Sequence, residues 1–233
     1  MINVIKREAM GKSERGWLHS QFHFSFAEYY NPDNIRFGAL RVVNDDTFDP
    51  HGGFDTHPHE DMEIISYVVD GRLTHRDSMG NGSTLGRGDA QYMSAGTGVR
   101  HSEFNNTDEP LRFLQIWILP DARGYEPNYG DHRFAWEDRV GKWLAIASGR
   151  QGAAPIAIHQ DMDVLVAVFD AGQTLSYDLK PGRQAYLIQI EGEGEVNGSE
   201  LAERDAAEIT DEAEVDIRAK TLSHYILFDM AAE

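Results

Sequence analysis

The sequence contains no cysteine. Disulfides and thiolate metal sites are therefore excluded, and any bound metal must rest on His, Asp or Glu. Cations are scarce: 21 Lys and Arg stand against 39 Asp and Glu, a formal net charge of −18. So acidic a chain repels phosphate backbones, which argues against direct nucleic-acid binding. No apolar run approaches the roughly 18 residues of a membrane-spanning helix. The stretch Met1–Trp17 has no apolar core of a signal peptide, so a cytoplasmic location is the expectation. Also missing are low-complexity tracts, a G-x-x-x-x-G-K phosphate loop, a dinucleotide fingerprint, and any Ser-His-Asp or Cys-His arrangement.

What is present is strand and turn. With 41% hydrophobic and 26% charged residues the composition is that of an ordinary globular protein. Short alternating runs rich in Val, Ile, Phe, Tyr and Trp predict strands at Arg36–Val43, Glu63–Val69, Gln91–Ser94, Leu111–Leu119, Val164–Phe169, Gln184–Ile190 and His224–Phe228. Hairpin signals separate them at Asp70-Gly71, Met79-Gly80-Asn81-Gly82, Pro181-Gly182 and Asn197-Gly198. Helix signals are few. The segment Pro120–Pro155, rich in Gly and Pro, reads as a connection between two β units. The expectation is an all-β chain of two tandem antiparallel β-barrels, divided into 1–135 and 136–233, without a clean internal repeat. Residues 191–216 carry eleven acids against one base, Arg204. This reads first as a solvated surface and second as a docking surface for a basic partner.

Two dipeptide-spaced pairs carry the chemistry. In His57-Pro58-His59 the two imidazoles stand at i and i+2, on one face of an extended strand and about 7 Å apart along it. His101-Ser102-Glu103 repeats the arrangement. On neighbouring strands the pairs supply three nitrogens and one oxygen, a set suited to iron, copper, nickel, manganese or zinc and poorly suited to calcium or magnesium. Gly96-Thr97-Gly98 leads directly into the second pair and permits a tight turn there. His159 and His224 stand alone, so no metal is expected in the C-terminal half. His19 and His23 read as core residues, and His51, His75 and His132 as surface ones.

The spacing His57-x-His59-x3-Glu63 followed by Gly71 resembles the first cupin motif, and Gly88 followed by Gly98-x2-His101-x3-Asn105 resembles the second. More specifically, the blocks Phe22–Tyr30, Thr56–Ile64, Asp77–Asn81, Met93–Glu103 and Leu114–Ile118 resemble the pirin family. The resemblance is dense over residues 15–120 and thinner afterwards. Two departures from the generic cupin pattern stand out: Gly96 takes a position where proline is common, and the Glu63-to-Gly71 spacing is one residue long.

The resemblance implies a bicupin, each half a double-stranded β-helix or jelly roll, with one divalent ion in the N-terminal barrel on His57, His59, His101 and Glu103. Glu63 is then a supporting residue. Iron is the expected ion; copper, nickel, manganese, cobalt and zinc are the alternatives. The implied activity is quercetin 2,3-dioxygenase: opening of a flavonol's central ring with O2 and release of carbon monoxide. Glu103 would take the proton of the substrate hydroxyl. Phe24, Phe26, Met62, Ile64, Met93 and Ile116 are the expected wall residues. The alternatives are a metal-dependent regulator or redox sensor acting through a protein partner, and non-oxygenase metal chemistry on the same scaffold. A monomer is the expected state.

Overall fold

The computed structural model describes residues 1–232. Among the described residues the chain is all-β apart from two short 3-10 turns. The first twelve strands are β1 (Ile2–Ile5), β2 (Gly11–Glu14), β3 (Leu18–Phe22), β4 (Leu40–Phe48), β5 (Gly53–His59), β6 (Glu63–Asp70), β7 (Leu73–Asp77), β8 (Gly82–Leu85), β9 (Ala90–Ser94), β10 (Val99–Phe104), β11 (Leu111–Ile118) and β12 (Asn128–His132). Ten follow: β13 (Leu144–Ser148), β14 (Ile156–Ala157), β15 (Met162–Phe169), β16 (Thr174–Asp178), β17 (Arg183–Glu191), β18 (Gly194–Val196), β19 (Ser199–Leu201), β20 (Ala206–Ile209), β21 (Glu214–Ala219) and β22 (Ser223–Ala231).

The chain forms two compact units. One comprises Gly11–Phe134 and Ile158–Gln160; the other comprises Met1–Met10, Ala135–Ala157 and Asp161–Glu233. Each holds a seven-stranded and a four-stranded sheet. In the N-terminal unit the orders are β12-β9-β6-β11-β4-β3-β2 and β5-β10-β7-β8; in the C-terminal unit they are β1-β20-β17-β22-β15-β13-β14 and β16-β21-β18-β19. The expected closed barrels are not what forms. The two sheets of each unit share no backbone ladder, so both stay open and cohere through the side chains of their inner faces.

Two of the expected hairpins are turns of another kind. Met79–Gly82 and Asn197-Gly198 do join paired strands, β7 with β8 and β18 with β19. After Asp70-Gly71, by contrast, the chain leaves the seven-stranded sheet for the four-stranded one, because β6 pairs with β9 and β11 and β7 pairs with β8 and β10. Pro181-Gly182 makes the equivalent change of sheet between β16 and β17. The strand expected at Arg36–Val43 begins at Leu40 and runs to Phe48, since Phe37 and Leu40 close a tight bridge first. Within the expected connection, β12 extends the N-terminal sheet by pairing with β9.

Side-chain alternation lays out the interior of the N-terminal unit. On β11 the inward set is Leu111, Phe113, Gln115 and Trp117; on β4, running the other way, it is Phe48, Asp46 and Asn44. One end is wholly apolar: Leu18, Phe48, Val68, Leu73, Leu85, Leu111 and Phe113 form a buried cluster. The middle is polar, with Ser66, Gln91, Glu103 and Gln115 joined by hydrogen bonds. The period of two, interrupted by polar residues at chosen positions, therefore sets a closed apolar floor below a polar layer.

In the C-terminal unit the same alternation buries an apolar cluster that includes Phe169, Leu187, Ile217, Tyr225 and Leu227. Part of its acidic run is matched locally. Lys6 pairs with the buried Asp205 at 2.8 Å, and Lys220 pairs with Glu195 and Glu200.

Candidate metal centre

The two dipeptide pairs meet across a strand interface. Strands β5 and β10 are antiparallel, with His101 directly opposite His57 and Val99 opposite His59. Between His101 and Glu103 the register shifts, because Glu103 stands opposite Phe54. This bulge sits beside the site, where an extra residue re-aims the side chains that follow. The imidazoles of His57, His59 and His101 have their centroids 4.5 to 4.9 Å apart. One ring nitrogen of each lies within 4.8 Å of the others.

The hydrogen bonds orient these rings. His57 Nδ1 donates to the carbonyl of Asp55 at 2.8 Å, which leaves Nε2 as the lone-pair nitrogen. His101 Nδ1 lies 3.4 Å from His75 Nδ1, and His75 Nε2 lies 3.1 Å from Asp77 Oδ2. With Asp77 as acceptor, His75 Nε2 donates, so His75 Nδ1 accepts from His101 Nδ1–H. His101 Nε2 is left as a lone pair, buried and without a hydrogen-bond partner. Burial, reinforced by repulsion from the neighbouring imidazoles, pushes both His59 and His101 down to about 3. They are neutral at pH 7, as ligation requires. Three converging imidazoles and the unpartnered buried Nε2 of His101 fit a divalent first-row ion.

Glu103 is fully buried and occupies the layer beneath. Its Oε1 accepts from Ser66 Oγ at 2.7 Å and Gln91 Nε2 at 2.9 Å, and its Oε2 accepts from Gln115 Nε2. Its carboxylate belongs to a second cluster of potential ligands with His75 and His101. Thus the four expected ligands fall into two overlapping groups that share His101.

Sequence reading missed His75. It was expected at the surface, next to Arg76 and Asp77, and it is completely buried, stacked on Tyr129 with centroids 4.4 Å apart. The signal was available. Leu73, His75 and Asp77 alternate with Thr74 and Arg76, so His75 shares the inward face of Leu73. Glu63 is buried and outside both clusters: it accepts from Ser94 Oγ and from the backbone N–H of His159, and so ties Ile158–Gln160 into this unit.

A cavity of about 190 Å³ adjoins the histidines, lined by Phe26, Asn44, Asp46, Phe54, His57, His59, Gln115 and Trp117. Of the expected wall residues only Phe26 lines it. Phe24 and Ile116 are closed core, and Ile64 and Met93 belong to an apolar cluster against which Met62 packs. Trp117 meets Phe26 edge to face at 5.4 Å and His59 at 4.9 Å. Burial pushes the Asp46 carboxyl up to about 7, against the pull of the Ser20 hydroxyl and with the push of Asp45 and Glu103. His59 also borders a second opening of about 340 Å³ with Pro58, Glu60 and Val99. A larger groove, about 660 Å³, includes Thr74, Arg76, Arg100 and Ser102 in its lining, residues that alternate with the inward ones, and none of the candidate ligands opens into it.

Comparison with known proteins gives a consistent picture. Residues 4–118 match the Pirin family, and residues 145–230 match the quercetinase C-terminal cupin domain. The chain is 46% identical over 232 residues to a pirin-like protein of Caulobacter vibrioides, covering 99% of this chain and 100% of the relative. It is 40% identical over 233 residues to the quercetin 2,3-dioxygenase of Escherichia coli K12, covering 99% of each. The crystal structure of the bacterial pirin YhhW from Escherichia coli in complex with nickel(II) superposes with a TM-score of 0.94 at 37% identity, covering 100% of both chains.

Proposed function

The chain belongs to the pirin family, and from that premise we propose that it is a metal-dependent dioxygenase of the quercetin 2,3-dioxygenase type. The reaction would open a flavonol's central ring with O2 and release carbon monoxide. One observation carries the reading: three histidines converge, and two of them, His57 and His59, line an aromatic-walled cavity. The relatives named for dioxygenase activity support an oxygenase.

In this reading His57, His59 and His101 hold one divalent ion with Glu103 as the fourth ligand. Iron is the ion we propose, and the nickel complex of the Escherichia coli relative supports a donor set open to other first-row metals. When bound, such an ion supplies a Lewis acid for an enol or phenol oxygen and, if redox-capable, a partner for O2.

The remaining work belongs to the chain. Phe26, Phe54 and Trp117 offer flat surfaces for rings. The apolar floor excludes water from one side of the polar layer. Glu103 is the base toward the substrate hydroxyl. Gln115 connects it to the cavity, lining the wall while donating to Glu103 Oε2. His75 and Asp77 hold His101 in the tautomer that presents Nε2.

Oxygen uptake and carbon monoxide release with quercetin test the proposal, in protein reconstituted separately with iron, copper, nickel, manganese and zinc. Metal-dependent uptake that is lost in His101→Ala and Glu103→Ala is the expected result. Stoichiometric metal binding with no uptake for any metal would sink the dioxygenase reading. Metal-dependent regulation through a protein partner would then be the better account.

A further inference from the structure

Strand β12 comes from the stretch that the sequence marks as a connection, and it lies at the edge of its sheet with β9 as its neighbour. In register, Tyr129 stands opposite Met93 and Asp131 opposite Gln91. Tyr129 and Asp131 are therefore i and i+2 on the face that the buried Gln91 shares, the inward one. The Tyr129 ring lies flat on His75, 11° from parallel with centroids 4.4 Å apart. Its hydroxyl stands 3.2 Å from Gln91 Oε1 and 3.3 Å from Asp131 Oδ2. Burial, aided by the charge of Asp131, pushes the Tyr129 phenol up, so it stays a donor and bridges these two acceptors.

Gln91 is the pivot. A side-chain amide has a donating end and an accepting end. Its Nε2 donates to Glu103 Oε1 at 2.9 Å and faces Ser66 Oγ at 3.2 Å and His75 Nδ1 at 3.5 Å. Among the described residues, the Tyr129 hydroxyl is the partner of Gln91 Oε1. A reversed amide would set its oxygen against the Glu103 carboxylate, acceptor against acceptor. Carboxylate and phenol thus select the same orientation from opposite ends. His75 is constrained by other means. Asp77 fixes its protonated nitrogen, and the flat contact with Tyr129 fixes the plane of the ring, so that Nδ1 stays aimed at His101 Nδ1–H.

We infer that Tyr129 is a positioning residue of the metal centre, holding Gln91 toward Glu103 with its hydroxyl and His75 toward His101 with its ring. The inference rests on the reading of His101 and Glu103 as ligands. Groups one step removed from a ligand set its orientation, and their loss costs roughly 10–100-fold in metal affinity. Here one side chain supports two of the four candidate ligands, and substitution separates its two contacts. Tyr129→Phe removes the hydroxyl and keeps the ring, whereas Tyr129→Leu removes both. Tyr92 supplies the control. It alternates with Gln91 on β9 and so points to the opposite face, where its ring lies over Gly130 and its hydroxyl accepts from Asn128 Nδ2. Tyr92→Leu therefore loosens the same strand pairing without removing a contact to His75 or Gln91.

Nitrogen-15 histidine correlation spectra of the metal-free full chain are the first measurement. The parent chain should carry the His75 proton on Nε2 and the His101 proton on Nδ1. Tyr129→Leu should mix the tautomers of both rings, and Tyr129→Phe should keep them. Chelator competition with cobalt(II) is the second. Tyr129→Phe should bind about tenfold more weakly than the parent, and Tyr129→Leu up to about 100-fold more weakly. Tyr92→Leu should match the parent in tautomers and affinity even where its urea midpoint falls. Unchanged tautomers and affinity in Tyr129→Leu, or the same losses in Tyr92→Leu, would overturn the inference and reduce Tyr129 to a strand anchor. If Tyr129→Leu does not fold, Tyr129→Phe decides through its affinity. A parent chain that binds no metal would sink the metal-centre reading, and the tautomers of the metal-free chain would still decide the role of Tyr129.

Discussion

Glu103 on β10 and His75 on β7 stand directly opposite each other in register, and His101 completes a cluster with both. This places a buried histidine, itself outside the histidine trio, between a candidate ligand and Asp77. The centre is thus two layers deep. His57 and His59 line the cavity with His101 beside them, and a hydrogen-bonded group of Glu103, His75, Gln91 and Gln115 adjoins the three imidazoles.

The first consequence concerns His75. Its ring accepts from His101 and passes the constraint to Asp77, so His75→Leu should weaken metal affinity by roughly 10–100-fold. His51 provides the control: it is exposed and pairs with Asp108, and His51→Ala should leave affinity unchanged. Competition against a chromogenic chelator measures both.

Gly96 is the second test. Its φ is +45°, and a Cβ there would lie 2.0 Å from the carbonyl oxygen of Tyr125. That oxygen also accepts from Thr97 N–H, which fixes it in place. Gly96→Ala should cost about 2–4 kcal/mol from left-handed strain plus overlap. Because this turn feeds β10, metal affinity should fall with stability. Urea midpoints and chelator competition read the two effects.

His23 governs part of the acid limb of stability. It is fully buried, and burial pushes it down to about 4. Its folded value lies below the unfolded value of about 6.5, so between these the unfolded chain binds the extra proton. Stability is therefore complete above about pH 6.5 and is lost as pH falls toward 4, by up to about 3 kcal/mol. In His23→Gln the urea midpoint should depend less on pH across this window. An unchanged slope would remove His23 as the cause.

The apolar floor makes a fourth prediction. Phe113 is fully buried and meets Phe48 edge to face at 5.0 Å. Phe113→Ala should cost about 3–5 kcal/mol in unfolding free energy. Phe26, which borders the cavity instead of the floor, should cost less when truncated, and its loss should appear in ligand binding. Paired denaturation and binding measurements separate the two.

Much of the scaffold was legible because alternation is local. The runs Glu63–Val69, Leu111–Leu119 and Val164–Phe169 fall on β6, β11 and β15 with ends shifted by no more than two residues. Arg36–Val43 was misplaced because its apolar residues continue through a tight bridge that periodicity does not register. His75 was misread because charged neighbours outweighed the inward position it shares with Leu73. Asn44, Asp46 and Trp117 gave no signal: a polar residue in a strand looks the same in sequence whether it faces solvent or a cavity.

By itself, the sequence determined that the chain is β-built, that thiolate ligands are impossible, and that His57 with His59 and His101 with Glu103 share strand faces. Each of these follows from composition or from the two-residue period of an extended backbone. Only the tertiary structure decided that β5 pairs with β10, that Glu103 sits a layer below the imidazoles, that β1 joins the sheet of β20, and that each unit closes by packing instead of by a continuous ladder. Strand pairing links residues far apart in the chain. Its register is chosen by the inner side chains of both sheets at once, and no local stretch of sequence contains that choice.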